Sequence, residues 1–271
     1  MDPPISEEVI GRGVCGQIYK STYKNERVAV KKISLMMMTA EEVQGEVNVL
    51  KYVSEKCPGL IPLFKGSLQI TPSCYIITEF LDGYVNLGDF PTASLPLPEL
   101  KKIIQTVIEG LQVIHHNNVA HRDVKPENMM IHSKTHHVKY VDFGFAFCEG
   151  ISFIQRGDAG SPAYMAPETI LRGLESTLIG YQRTDRWSLS LSIFEIAYGE
   201  DLITMMLENK LSRLLPIHAI KYLEKFYPEW ESQKEEIMKP YFQEKITDPD
   251  IQRVIRNGLH FSPPLRILES F

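Results

Sequence analysis

The chain has 271 residues, 44% of them hydrophobic and 23% charged, a composition typical of a globular protein with a sizeable core. Its net charge of −5 argues against binding to nucleic acid. The acidic N-terminus lacks the apolar core of a secretory signal, and no apolar run reaches the roughly 20 residues that span a bilayer. The four cysteines form no CxxC pair, which favours reduced thiols. We therefore expect a monomer in the cytoplasm or nucleus, without a membrane or nucleic-acid partner.

The first predicted element is a hairpin with a glycine-rich turn. Residues 11–18 read GRGVCGQI, a GxGxxG segment, and residues 17–23 alternate in the manner of a strand. Dinucleotide-binding folds use the same glycine spacing, but there the segment opens into a helix. Residues 24–26 suit a turn before a second strand at 27–33, so the pattern favours a phosphate-covering hairpin. A purely structural hairpin is the alternative.

A strand and a helix follow, and each carries one charged residue of interest. The strand contains the motif VAVK, which ends at Lys31. Thr39 is a suitable N-cap for a helix whose apolar residues recur at 43, 47 and 50. Glu46 lies inside this helix, whereas the acidic residues 41–42 lie in its first turn, where they suit the helix dipole.

The rest of the chain divides into two further strands, a connecting segment and a helical region. Residues 61–64 and 75–80 read as strands, and residues 81–98 contain the proline and glycine of a linker. Residues 99–116 have the periodicity of a long amphipathic helix. The remaining predicted elements are strands at 129–132 and 138–141 and helices at 187–198, 217–226 and 250–257.

The most specific pattern is HRDVKPEN at 121–128, followed by DFG at 142–144. It places a carboxylate, an ammonium group and an amide in one loop and a second carboxylate on a glycine turn. These groups suit the binding of two Mg²⁺ ions and the alignment of a hydroxyl group with a terminal phosphate. The pattern resembles the catalytic loop and metal-binding turn of eukaryotic-type serine/threonine protein kinases.

The resemblance implies a role for each residue of these motifs. Asp123 would orient the substrate hydroxyl and accept its proton, and Lys125 would neutralise charge on the moving γ-phosphate of ATP. Lys31 would pair with the α- and β-phosphates and would be held by Glu46. Two Mg²⁺ ions, with Mn²⁺ as a substitute, would be held by Asn128 and Asp142.

The resemblance also outlines an ATP site between the sheet and the helical region. Thr78 would be the gatekeeper beside the adenine, and backbone groups of Glu79 and Leu81 would bond to its edge. One departure is Cys15, where many kinases have an aromatic residue. The other residues implied to surround the nucleotide are Ile10, Gly11, Gly13, Gly16, Ile18, Ala29 and Met130.

An activation segment is implied between residues 142 and 168. Ser161 would touch the catalytic aspartate and lysine, and Glu168 would pair with the distant Arg266. The usual activating phosphosite falls at 157–158, where there is no hydroxyl, so Asp158 could supply a permanent negative charge to Arg122. We therefore expect activity without activation-loop phosphorylation. Asp185, in the motif DRWSLS, is expected to brace the catalytic loop.

The expected fold is α+β and two-lobed, a single protein kinase catalytic domain over 1–271. An antiparallel-sheet N-lobe with one main helix would span about 1–80, a hinge and linker 81–98, and a mostly helical C-lobe 99–271. The chain ends five residues after Arg266, so we expect a minimal domain with a truncated last helix. Such compactness is seen in kinases of large DNA viruses.

Several alternatives remain open at this point. A pseudokinase would bind nucleotide as a scaffold without transfer, although all of the motif residues are present. A kinase of small molecules is disfavoured by the peptide-binding segment 161–168. Six of the eight histidines lie between 115 and 137, but their spacing fits no standard zinc arrangement.

Two features concern protein partners beyond the expected protein substrates. Met36, Met37 and Met38 precede the Glu46 helix and would either dock a regulatory partner or pack against the sheet. Glu127 and Glu195 fall where some kinases bind basic residues of their substrates, although the hinge-side position is the apolar Val85. A mild preference for basic peptides is the resulting hypothesis.

Overall fold

The computed structural model describes residues 8–13, 16–151, 160–206 and 216–269. A five-stranded antiparallel sheet with one long helix against it forms the first part of the structure. Its strands are β1 (Val9–Gly13), β2 (Gly16–Tyr23), β3 (Glu26–Ser34), β4 (Phe64–Ile70) and β5 (Ser73–Glu79), and the helix is α1 (Ala40–Lys56). The spatial order β1-β2-β3-β5-β4 places β3 at the centre, next to β2 and β5.

Strands β1 and β2 form the predicted glycine-rich hairpin. Gly11 pairs with Ile18, and Gly13 pairs with Gly16. After the turn the chain continues as a strand, which excludes the dinucleotide-binding alternative. At position 16 a Cβ atom would overlap the carbonyl oxygen of Lys32 on β3, so only glycine fits.

Helix α1 begins at the predicted N-cap. The Thr39 hydroxyl accepts a hydrogen bond from the N–H of Glu42, and the Glu42 carboxylate accepts one from the N–H of Thr39 at 2.8 Å. Val43, Val47 and other apolar residues of one face are buried. Glu46 lies near this face and is only 7% exposed, so its carboxylate needs a partner inside the protein.

The second part of the structure is mainly helical. Its short strands are β6 (Tyr84–Asn86), β7 (Val119–Ala120), β8 (Met129–His132), β9 (Val138–Tyr140) and β10 (Phe147–Cys148). Its helices are α2 (Leu97–His116), α3 (Pro167–Ile170), α4 (Leu178–Tyr198), α5 (Leu202–Met206), α6 (Pro216–Phe226), α7 (Trp230–Glu244) and α8 (Pro249–Gly258). The α+β prediction is thus confirmed. Within the described ranges, no helix is both long and apolar enough to cross a membrane.

Helix α4 organises the helical part. It packs against α2 and α8, starts at the side-chain cap of Thr177 and ends at Gly199, whose φ of 103° is left-handed. Trp187 is fully buried, with its ring centroid 5.4 Å from that of Trp230 and 5.7 Å from that of Tyr227. This rigid setting matters because α4 also carries Asp185 to the loop at 121–128.

Three predicted boundaries were wrong. Residues 61–63 lie outside the sheet, where Pro62 has no N–H to donate, and β4 begins only at Phe64. The segment 81–98 is more than a linker, since β6 pairs with β8 and α2 already starts at Leu97. The helix predicted at 187–198 begins earlier, at Leu178.

Candidate active site

Lys31 joins three elements of the site. Its Nζ lies 2.6 Å from Oε1 of Glu46 on α1 and 2.9 Å from Oδ1 of Asp142 in the turn after β9. Burial alone would lower the pKa of Lys31, but the two carboxylates outweigh it and raise that pKa above its ordinary value. The ammonium group is therefore held in its charged form.

Asp142 is shaped by the same contacts. Burial would raise the pKa of its carboxyl group, but the charge and hydrogen bond of Lys31 outweigh burial and lower that pKa. Its backbone is left-handed, with φ of 59°, and the next residue, Phe143, is buried against His121 with the ring centroids 4.7 Å apart. Inward packing of Phe143 fixes the turn so that the carboxylate of Asp142 lies beside Lys31.

The loop at 121–128 brings together four of the predicted residues. The Asn128 amide donates to the Asp123 carboxylate at 2.7 Å, and the N–H of Ser161 donates to its other oxygen at 2.9 Å. Lys125 Nζ donates to the Ser161 hydroxyl at 2.5 Å and lies 3.3 Å from the Asp123 carboxylate. The Ser161 hydroxyl thus contacts Lys125, while its backbone contacts Asp123.

Asp185 braces this loop as predicted. Its two carboxylate oxygens accept the N–H groups of His121 and Arg122, each at 2.7 Å. Arg122 has a left-handed backbone with φ of 66°, a conformation that is uncommon for a residue with a side chain. His115, whose Nε2 lies 2.9 Å from Asp185, completes the brace. Nothing in the sequence indicated this contact of His115.

The residues expected around the adenine are distributed over both parts of the structure. Ala29 on β3 pairs with Thr78 on β5, and the side chain of Ile18 lies against Gly11. Met130 on β8 lies in the three-stranded sheet β6-β8-β9, and Leu81 follows β5 in the connection. Ile10, by contrast, is 44% exposed on β1.

Glu79 has side-chain contacts that the sequence did not indicate. Its carboxylate accepts from Lys139 Nζ at 3.0 Å and from the N–H of Leu63 at 3.0 Å. Its own N–H donates to the carbonyl of Leu63 at 2.8 Å. Glu79, at the start of the connection, is thereby bound to the first part through Leu63 and to the second part through Lys139.

The predicted partner of Glu168 is confirmed. Arg266, fully buried, donates to both carboxylate oxygens of Glu168 at 2.5 and 2.6 Å and lies over the Trp187 ring. The proposed counter-charge of Arg122, Asp158, lies outside the described residues.

An acidic cluster lies beside the loop at 121–128. Tyr164 donates a hydrogen bond to Glu195, and the pKa of Glu195 is raised to about 7, chiefly by burial and further by Glu127 and Asp201. Burial likewise raises the pKa of Asp201. Sequence reasoning identified Glu127 and Glu195 but not Tyr164 or Asp201, which have no local motif.

The oxygen donors of the site fit Mg²⁺. The N–H of Val141 donates to the carbonyl of Asn128 at 2.9 Å, so the backbone segments that carry Asn128 and Asp142 lie side by side. An amide and a carboxylate oxygen suit a hard cation that takes its other ligands from phosphate and water. Across the described residues, no group of three or more His, Cys, Asp or Glu could hold a metal ion.

Comparison with known proteins gives a consistent result. A model of the protein kinase domain matches residues 5–267. The serine/threonine-protein kinase pakF of Dictyostelium discoideum is 31% identical over 201 residues, 72% of this chain and 16% of that protein. The human serine/threonine-protein kinase ULK3 is 31% identical over 209 residues, 74% of this chain and 42% of that protein. The Dictyostelium serine/threonine-protein kinase dst4 is 29% identical over 223 residues, 80% of this chain and 45% of that protein.

The chain thus spans less than half the length of these relatives. The matched region nevertheless contains the whole site described above, from the glycine-rich hairpin to Arg266. Members of this family generally use ATP and Mg²⁺ and act on protein substrates. The chain belongs to the protein kinase domain family, and its curated relatives are serine/threonine kinases.

Proposed function

We propose that this chain transfers the γ-phosphate of Mg-ATP to serine and threonine hydroxyls of protein substrates. The observation that carries the proposal is the chain of contacts from Glu46 through Lys31 to Asp142. It joins the nucleotide-covering sheet, helix α1 and the metal-binding turn in one arrangement. A scaffold that only bound nucleotide would not need Asp123 and Lys125 in the same cleft.

Asp123 is the group that orients the attacking hydroxyl. Its carboxylate is held by the Asn128 amide and the Ser161 N–H, so it faces the acceptor in a fixed orientation and takes the proton as the new P–O bond forms. The bond between the γ-phosphorus and the bridging oxygen breaks, and ADP leaves. Lys125, bound to Ser161, neutralises charge on the transferred group.

The nucleotide would lie between the glycine-rich hairpin and Met130. Lys31 would bind the α- and β-phosphates, Thr78 would flank the adenine, and the backbone at Glu79 and Leu81 would bond to its edge. Asn128 and Asp142 would hold two Mg²⁺ ions, with Mn²⁺ as a substitute. Bound Mg²⁺ neutralises phosphate charge and orients the leaving group.

Transfer of label from [γ-³²P]ATP to generic protein substrates tests this proposal. Labelling should require Mg²⁺ or Mn²⁺, stop with excess chelator, and appear on serine and threonine in acid hydrolysates. Asp142→Asn should lower it at least about 100-fold, because the carboxylate is the charged metal ligand. The matched variant Asp89→Asn, at an exposed position, should label normally. Chelator-resistant labelling would count against the mechanism.

We also propose that activity does not need activation-loop phosphorylation. The basis is the sequence at 157–158, which offers no hydroxyl, together with the Asp185 brace that already fixes Arg122. Purified protein treated with phosphatase should keep its full rate of transfer. A loss of activity that returns on incubation with ATP would contradict this proposal.

A preference for basic residues in the substrate is a further proposal. Glu127, Glu195 and Asp201 form a negative surface beside Tyr164, and a substrate cation would restore the ionised form of Glu195. A positional peptide library should show enrichment of Arg or Lys upstream of the acceptor, weaker at pH 6 than at pH 8. A library without such enrichment would reject it.

The segment before α1 offers a surface for a regulatory partner. Met36 and Met37 are 88% and 65% exposed, whereas Met38 is buried against the core. Replacing both exposed methionines with lysine should leave basal transfer within about twofold, because surface changes rarely cost more, but should remove stimulation by an activating partner. Stimulation that survives would contradict this role.

A further inference from the structure

The side chain of Arg122 lies between the catalytic loop, the metal-binding turn and helix α4. Its Nη1 donates to the carbonyl of Phe145, the residue after the turn's glycine, at 3.3 Å. Its guanidinium carbon lies 4.3 Å from the centre of the Tyr181 ring. Arg122, which directly precedes Asp123, therefore connects the catalytic loop with the segment that follows Asp142.

Tyr181 contacts both segments that Arg122 connects. It is 2% exposed in the first turn of α4, and its ring centroid lies 5.1 Å from that of Phe147. Phe147 belongs to β10, which pairs with β7 directly before the catalytic loop. One rigid aromatic ring thus supports the guanidinium on one side and the start of the activation segment on the other.

The contact between Arg122 and Tyr181 opposes the unfavourable effect of burial on the charged guanidinium group. Burial lowers the pKa of Arg122, and Tyr181 and Asp185 oppose that effect. The face of an aromatic ring attracts a cation, and the attraction is stronger where water is excluded. Because Tyr181 is fixed within α4, the ring also limits the directions in which the guanidinium can point.

We propose that Tyr181 is a positioning residue that holds Arg122, and through it Asp123 and the metal-binding turn, in the arrangement required for transfer. The inference rests on the proposed kinase activity and deepens it. It supplies a built-in restraint at the arginine that we expect to work without activation-loop phosphorylation.

Kinetics of three variants test the proposal. Tyr181→Leu should lower kcat about tenfold, a cation–π contact being lost, with little change in the KM for ATP. Tyr181→Phe keeps the ring and should retain at least about half of kcat. Tyr198→Leu is the matched control, since Tyr198 lies on the same helix with Lys245 Nζ 4.5 Å from its ring centre. It should retain the wild-type kcat.

A double-mutant cycle separates positioning from simple packing. If Tyr181 acts through Arg122, Tyr181→Leu should cost less than about twofold in an Arg122→Met background, because the contact is already gone. Equal losses in both backgrounds would show that the ring serves packing alone and would overturn the proposal. An unchanged kcat in Tyr181→Leu would also overturn it.

Hydrogen exchange provides a test that does not require activity. Amides of residues 143–148 should exchange faster in Tyr181→Leu than in wild type, and should be unaffected in Tyr198→Leu. If the wild-type protein transferred no phosphate, the proposed function would be contradicted. Hydrogen exchange would still test whether Tyr181 holds Arg122 and residues 143–148 in place. Unchanged exchange at 143–148 would refute the positioning role.

Discussion

Glu168 and Arg266 form a charged pair in which the arginine is fully buried and the carboxylate is largely buried. Removing one partner leaves a buried charge without compensation, which costs about 3–5 kcal/mol. We predict that Glu168→Ala lowers the free energy of unfolding by this amount, measured by urea denaturation. Arg253→Ala breaks the exposed pair with Glu269 and should cost at most about 1 kcal/mol. Similar losses in both variants would show that burial does not matter here.

Glu195 predicts a pH dependence of stability. Because its pKa rises from 4.5 to about 7 on folding, the native state binds a proton that the unfolded state releases between these values. Stability from this group is therefore present at low pH and is lost as pH rises through about 7. Glu195→Gln cannot ionise, so from pH 5 to pH 8 it should gain up to about 3 kcal/mol relative to wild type.

Urea midpoints of both proteins across this pH range check the prediction. Curves that stay parallel from pH 5 to pH 8 would mean that Glu195 is ionised throughout in the native state. The expected gain is confined to stability, because the same substitution removes the charge proposed to attract basic substrates.

At the scale of elements, α4 and α8 approach closely where two small residues meet. A Cβ atom on Gly258 of α8 would overlap the Ser190 hydroxyl and lie 2.7 Å from the Ser190 Cβ on α4. Gly258→Ala should therefore destabilise the protein by about 1–3 kcal/mol. Gly45→Ala on α1, where nothing lies within 4 Å of the added atom, should be neutral or stabilising by up to about 1 kcal/mol.

Thermal denaturation of the two glycine variants checks this prediction. Adding Ser190→Gly to Gly258→Ala should recover part of the loss, because it removes the overlapping hydroxyl. Destabilisation by Gly45→Ala equal to that of Gly258→Ala would contradict the close helix contact.

Elements with a local signature were predictable from the sequence. The N-cap Thr39, the glycine-rich hairpin and the motif residues from Asp123 to Asp142 lie where their patterns indicated. Helix α4 was predicted too short, because it is buried on most sides and its first turns lack an amphipathic pattern. Contacts such as Glu79 with Lys139, 60 residues apart, have no local signature.

At the scale of the whole molecule, two parts of different architecture contribute residues to one site. The sheet supplies Lys31, helix α1 supplies Glu46, and the helical part supplies Asp123, Asn128 and Asp142. Apolar residues of both parts belong to one continuous hydrophobic core, and a nucleotide bound at this site would contact both parts. Mg-ATP at 100 times its Kd should therefore stabilise the protein by about 2.7 kcal/mol against unfolding.

Binding and transfer measured together on Asp123→Asn test the central claim most directly. This substitution keeps the size of the side chain but removes the carboxylate that we propose takes the proton. We predict that Mg-ATP binds within about threefold of wild type by calorimetry, since the proposed mechanism directs Asp123 toward the acceptor and not the nucleotide. Transfer of labelled phosphate to protein should fall at least about 100-fold. Equal transfer by both proteins would contradict the assignment of this site as a protein kinase active site.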